Sequence, residues 1–118
     1  MGHRGEAEAA RFLKRQGFMI LDQNVRSRLG EIDLVAREGG TLVFVEVKAR
    51  RGYRGDPPQA GVTPRKRQRL GRLALAYLKA RRLADLRCRF DVVGITLDDE
   101  DRVREIRHLP GAFELTGW

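Results

Sequence analysis

The chain has 118 residues and a formal net charge of +8, with a sequence pI near 10.7; that length makes one domain with room for a real core. Its single cysteine, Cys88, excludes an internal disulfide and a cysteine-based metal cluster, and no apolar run approaches the ~18 residues of a membrane span. The charged N-terminus carries no apolar signal core, so a cytoplasmic protein that keeps off membranes is expected.

Twenty of the 24 basic residues are arginine. The guanidinium offers a planar fork of donors matched to phosphate. A GC-rich genome also enriches arginine, but it does not by itself produce a net charge of +8. An anionic partner is expected, nucleic acid and DNA first.

Residues 5–16 form a helix in this reading, with Ala7, Ala9, Ala10, Phe12 and Leu13 as its apolar contacts. Glu6 and Glu8 then fall in its first turn, where carboxylates complement the helix dipole. Gly17 suits the position that ends the helix. Residues 18–21 read as a short buried strand, followed by a polar connection over 24–29 that carries Arg26 and Arg28.

Two apolar runs, 32–36 and 42–47, flank Gly39-Gly40, and both residues of such a pair can adopt positive φ. A hairpin turning on these glycines sets Glu38 against Thr41, Asp33 against Glu46 and Glu31 against Lys48. Side chains alternate along a strand, so these four charged groups share one face. Two carboxylates set opposite each other repel unless a proton, a cation or water intervenes. Two readings stand open on these residues: a solvated polar face with a Glu31–Lys48 ion pair, or a divalent-metal site with a lysine beside it. The 42–45 run is apolar on both faces, as a central strand is, and Glu46 and Lys48 follow where it ends.

Residues 51–62 hold three Gly, two Pro, Tyr53, Arg51 and Arg54, and are expected to form a mobile loop beside this patch, as a lid or as plain linker. Thr63-Pro64 starts the longest helix, threonine as N-cap and proline in the first turn. Leu70, Leu73, Ala74, Tyr77 and Leu78 make its core stripe, while Arg65, Lys66, Arg67, Arg69 and Arg72 crowd the first turns. Such a run suits phosphate contact. Residues 87–97 form a further strand in which Asp91 reads as structural or as support for the site. Residues 98–101 are an acidic, solvated turn, 102–109 an edge strand, and 110–118 a tail with Phe113 and Trp118. The order implies an α/β domain with a mixed sheet flanked by helices.

His3 and His108 lie far apart in the chain, and GxSxG, Walker-type, CxxC and GxGxxG motifs are absent. Asp33 followed by Glu46-Val47-Lys48 remains. These types suit metal-assisted phosphodiester hydrolysis: Asp33 and Glu46 as hard oxygen ligands for Mg²⁺ or Mn²⁺, the Val47 carbonyl as a further ligand, and Lys48 to orient or deprotonate water.

The segments GEAEAARFL (5–13), GEIDLVA (30–36), FVEVKAR (44–50), TPRKRQRL (63–70) and RFDVVGI (89–95) occur in this order. With them the chain resembles the YraN family, a small bacterial family regarded as restriction-endonuclease-like and distantly similar to archaeal Holliday junction resolvases. The resemblance covers residues 5 to 113. It implies a restriction-endonuclease-like fold in which Asp33, Glu46 and Lys48 form the PD-(D/E)xK set, with Ile32 where proline is common. It also lifts Glu6 to a member of the site, by similarity to the helix-1 acid of the resolvases, and leaves Glu31 as an alternative ligand or a support for the others. The function expected is a Mg²⁺-dependent endonuclease acting on DNA, branched or processed DNA included, with a homodimer as an open assembly. The alternatives are a non-catalytic nucleic-acid-binding module on the same fold, using Arg51, Arg54 and the basic helix, and a basic scaffold that makes protein contacts through Phe113 and Trp118.

Overall fold

The computed structural model describes residues 2–52, 62–83 and 85–113. In chain order these form α1 (Gly2–Arg15), β1 (Met19–Ser27), β2 (Gly30–Glu38), β3 (Thr41–Arg51), α2 (Pro64–Arg81), β4 (Arg87–Leu97) and β5 (Val103–Phe113). The strands make one mixed sheet in sequence order, β1-β2-β3-β4-β5. All neighbours are antiparallel except β3 and β4, which run parallel. Parallel neighbours need a crossover, and α2 supplies it. The architecture is the α/β arrangement expected from the sequence, and it is consistent with a restriction-endonuclease-like fold.

The helices cover opposite faces of the sheet. Leu70, Leu73, Ala74, Tyr77 and Leu78 of α2 pack on Val35, Leu42, Phe44, Phe90 and Val92. Ala9, Ala10 and Leu13 of α1, with Phe18, pack on Leu34, Ala36, Val43, Val45, Val93 and Ile95. The alternation of Phe44 and Val45 between the two clusters is why the β3 run is apolar throughout, and why β3 occupies the middle of the sheet. No described helix is long and apolar enough to cross a membrane.

Several local expectations are corrected. Helix α1 begins at Gly2, so neither Glu6 nor Glu8 lies in its first turn, and the dipole account of Glu6 fails. The chain over 18–29 is not a short buried strand and a polar connection. It is the nine-residue edge strand β1, kinked between Ile20 and Asp22, with Met19 62% exposed. An edge strand needs only one partner, so polar and apolar residues are both tolerated along it. The last strand does not stop before Pro110 but runs to Phe113, which is buried and stacks on Phe90 with ring centroids 5.2 Å apart. Proline survives in β5 because this is an edge. In the β2–β3 turn only Gly39 takes positive φ (+59°), as the first central residue of a type II′ turn does. The expected loop at 51–62 lies largely outside the described residues, as do Tyr53, Arg54 and Trp118; Arg51 is the last residue of β3.

Candidate metal and nucleic-acid site

Pairing between β2 and β3 runs from Glu38–Thr41 to Leu34–Val45, in the register read from the sequence. Asp33 and Glu46 come next. There the ladder gives way to a side-chain bond, in which the Val47 N–H donates to Asp33 Oδ2 at 2.8 Å. The two carboxyls turn toward α2, on the same face as Val35 and Phe44. Asp33 is thus anchored by backbone at the point where the hairpin opens.

Glu6 arrives from the other face. Gly5 of α1 packs so closely on β3 that a Cβ built there would stand 2.9 Å from Ala49 Cβ. This approach brings the Glu6 carboxylate to the strand ends, where single oxygens of Glu6, Glu31 and Asp33 all lie within 4.8 Å of one another. That grouping fits a metal ion, being an all-oxygen set of half-buried carboxylates as hard divalent cations prefer. Burial, first, and then the charges of Glu46, Glu6 and Glu31 raise the Asp33 carboxyl to about 7, against a smaller lowering by the Val47 N–H.

Glu46 is differently held. Its side chain is 8% exposed and meets two lysines, Lys66 Nζ at 2.7 Å and Lys48 Nζ at 3.7 Å. Burial and then the neighbouring Lys66 push the Lys48 ammonium below the usual lysine range. Burial is the largest influence on Lys66 and pulls it down, but its bonds to Glu46 and Lys48 and the charges of Glu46 and Asp33 together leave it above that range. The Glu31–Lys48 ion pair of the solvated-face reading is not formed. Glu31 is matched with Arg26 across β1, and Arg26 Nε donates to Glu31 Oε2 at 2.8 Å.

Asp33, Glu46, Glu31 and Lys66 line a cleft of about 280 Å³, closed on its far side by Arg69, Leu70 and Leu73 of α2. Arg69 also belongs to an adjoining cleft of about 490 Å³, with Leu29, Arg65, Gln68 and Arg72. The basic residues of α2 therefore divide. Arg65, Arg69 and Arg72 face the open cleft, Lys66 reaches Glu46, and Arg67 donates to the Val62 carbonyl at 3.1 Å and lies 5.4 Å from the Phe113 ring centre.

Residues 5–95 match the model of the uncharacterised protein family UPF0102. The chain belongs to that family. This is the YraN family to which the motifs pointed. It is 46% identical to a UPF0102 protein of Geotalea uraniireducens over 115 residues, covering 98% of this chain and 90% of the relative. A UPF0102 protein of Geobacter sulfurreducens is 48% identical (98% and 89% covered), and one of Moorella thermoacetica is also 48% identical (95% and 93% covered).

Within this UPF0102 chain, Asp91 is settled as structural. It is fully buried, and its carboxylate accepts from Arg89 Nε (2.8 Å) and Nη2 (3.0 Å) and from the Gly111 N–H (3.0 Å), and meets His108 Nε2 at 2.7 Å. Burial pushes this carboxyl up, but His108, Arg89 and the Gly111 N–H together hold it below the usual range. Two contributors escaped sequence reading. The sequence does not mark Gly5 as the point where α1 meets β3, and it offers Lys66 only as one of five cations suited to phosphate contact. The Thr63 cap fixes where α2 starts, but no local signal says which of its cations turns inward.

Proposed function

We propose that this protein is a divalent-metal-dependent endonuclease that hydrolyses phosphodiester bonds in DNA, branched or processed DNA included. The observation that carries the reading is the meeting of Glu6, Glu31 and Asp33 within 4.8 Å, beside a cleft that Glu31 and Asp33 line together with Glu46 and whose other wall is the basic helix α2. Asp33, Glu46 and the Val47 carbonyl would hold Mg²⁺ or Mn²⁺, with Glu6 and Glu31 completing the acidic surround. Such a cation supplies charge for the phosphoryl oxygen and a more acidic water. The chain's own residues do the rest. Lys48 orients the attacking water and, as the neutral amine that burial and the neighbouring Lys66 favour, takes its proton, and Arg65, Arg69 and Arg72 seat the phosphate backbone along the adjoining cleft. Arg51, the last residue of β3, is engaged with the acidic turn after β4: it pairs with Asp101 and donates to the Asp99 carbonyl at 3.4 Å.

The test is cleavage of linear, nicked, flapped and four-way DNA with Mg²⁺ or with chelator. Wild type should cut at least one of these only with metal, and Asp33→Asn or Glu46→Gln should lower the rate by about 10²-fold or more. Equal behaviour of wild type and both variants on every substrate would sink the proposal. One contact favours a second reading, a nucleic-acid-binding module without catalysis: the Lys66 ammonium already neutralises Glu46 at 2.7 Å. DNA binding with no metal-dependent cleavage of any substrate would select it.

A further inference from the structure

Glu46 is the acid whose environment differs from its neighbours'. Glu6, Glu31 and Asp33 are half-buried and crowd one another, with Glu31 paired to Arg26 at an exposed edge, whereas Glu46 is buried and carries an ammonium on its Oε1 at 2.7 Å. That ammonium does not come from the hairpin. Lys66 is the third residue of α2, placed by the cap in which its own N–H donates to Thr63 Oγ1 at 3.2 Å. Its side chain is 27% exposed, while its helix neighbours Arg65, Gln68 and Arg69 are open to solvent. A buried carboxylate without a counter-charge is costly, and Lys66 at 2.7 Å, with Lys48 farther off at 3.7 Å, meets that need. An ammonium 2.7 Å from Oε1 and a divalent cation bound to the same carboxylate repel each other as like charges, so the two compete for Glu46.

We propose that Lys66 is a resident counter-cation of Glu46 that a divalent metal displaces, so that metal loading frees an ammonium on the cleft wall for a substrate phosphate. This rests on the metal-dependent reading above. Lys66 is thereby a positioning residue that sets the threshold for metal entry. By linkage, an anion that draws Lys66 away from Glu46 strengthens metal binding by the same factor.

The experiment is calorimetric titration of the full chain with Mn²⁺, without substrate. Lys66→Met should bind Mn²⁺ about tenfold more tightly than wild type, the change expected for about 1.4 kcal/mol of lost competition. Lys66→Arg should stay within about twofold of wild type. Arg69→Met removes a charge from the same cleft without touching Glu46, and should shift the affinity by less than about threefold. A Lys66→Met affinity equal to wild type, or a shift no larger than that of Arg69→Met, overturns the inference and leaves the nuclease reading standing. Failure of wild type and all variants to bind Mn²⁺ overturns both. Should Lys66→Met fold poorly, Lys66→Gln serves in its place, and the rise in melting temperature on adding Mn²⁺ gives the same ranking.

Discussion

Asp33 has a folded-state pKa near 7, far above the value near 3.9 of an unfolded aspartate. Because the folded pKa is the higher, its contribution to stability is fully present below about pH 4 and is lost as pH rises through 7. In chelator, wild type should therefore melt at lower temperature at pH 8 than at pH 5. Asp33→Asn cannot ionise and can still accept the Val47 N–H, so it should melt above wild type at pH 8 and near it at pH 4. The difference at pH 8 is on the order of 2 kcal/mol after allowance for partial solvent screening. Thermal melts at the two pH values check this, and an Asn variant less stable than wild type at pH 8 contradicts it. On the nuclease proposal, the same substitution should lower cleavage by about 10²-fold or more while strengthening the fold in chelator, a trade expected where like charges are assembled.

At the scale of elements, the site depends on how near α1 comes to β3. Gly5→Ala puts a methyl 2.9 Å from Ala49 Cβ, and neither atom can rotate away because both are bound directly to backbone. The helix must lift, carrying Glu6 with it. We expect a loss of about 1–3 kcal/mol in stability, largely restored in the Gly5→Ala/Ala49→Gly double variant. A denaturant cycle over the four proteins measures the coupling, and additive losses would show that the two positions do not meet. The order of elements and the β2–β3 register were legible in the sequence, because two-residue periodicity and a glycine turn determine them locally. The span of β1 was not, since an edge strand needs no apolar alternation on its open side. Nor was the extension of β5 past Pro110, which hangs on the long-range bond from Gly111 to Asp91. At the site, the Asp33–Glu46 neighbourhood followed from register. The approach of Glu6 and Lys66 from opposite faces did not, because it is fixed by how two helices pack on the sheet.

Around the cleft, charge is sorted. Acids gather where the hairpin opens, and beside them Arg65, Arg69 and Arg72 line the open cleft. Each phosphate neutralised releases condensed counterions, so the logarithm of duplex DNA affinity should fall linearly with the logarithm of salt. Replacing all three arginines by alanine should reduce that slope by about 2–3, with affinity lowered similarly for unrelated sequences. Fluorescence anisotropy from low to moderate salt measures it, and an unchanged slope would take the nucleic acid off this surface. The bond between Asp33 and the Val47 N–H has a consequence of its own. That amide proton lies within one hydrogen bond of the acid at the centre of the cluster. Its NMR resonance and its rate of exchange with deuterium follow the charge on Asp33, so the backbone carries its own gauge of proton and cation arrival, readable before any substrate is known.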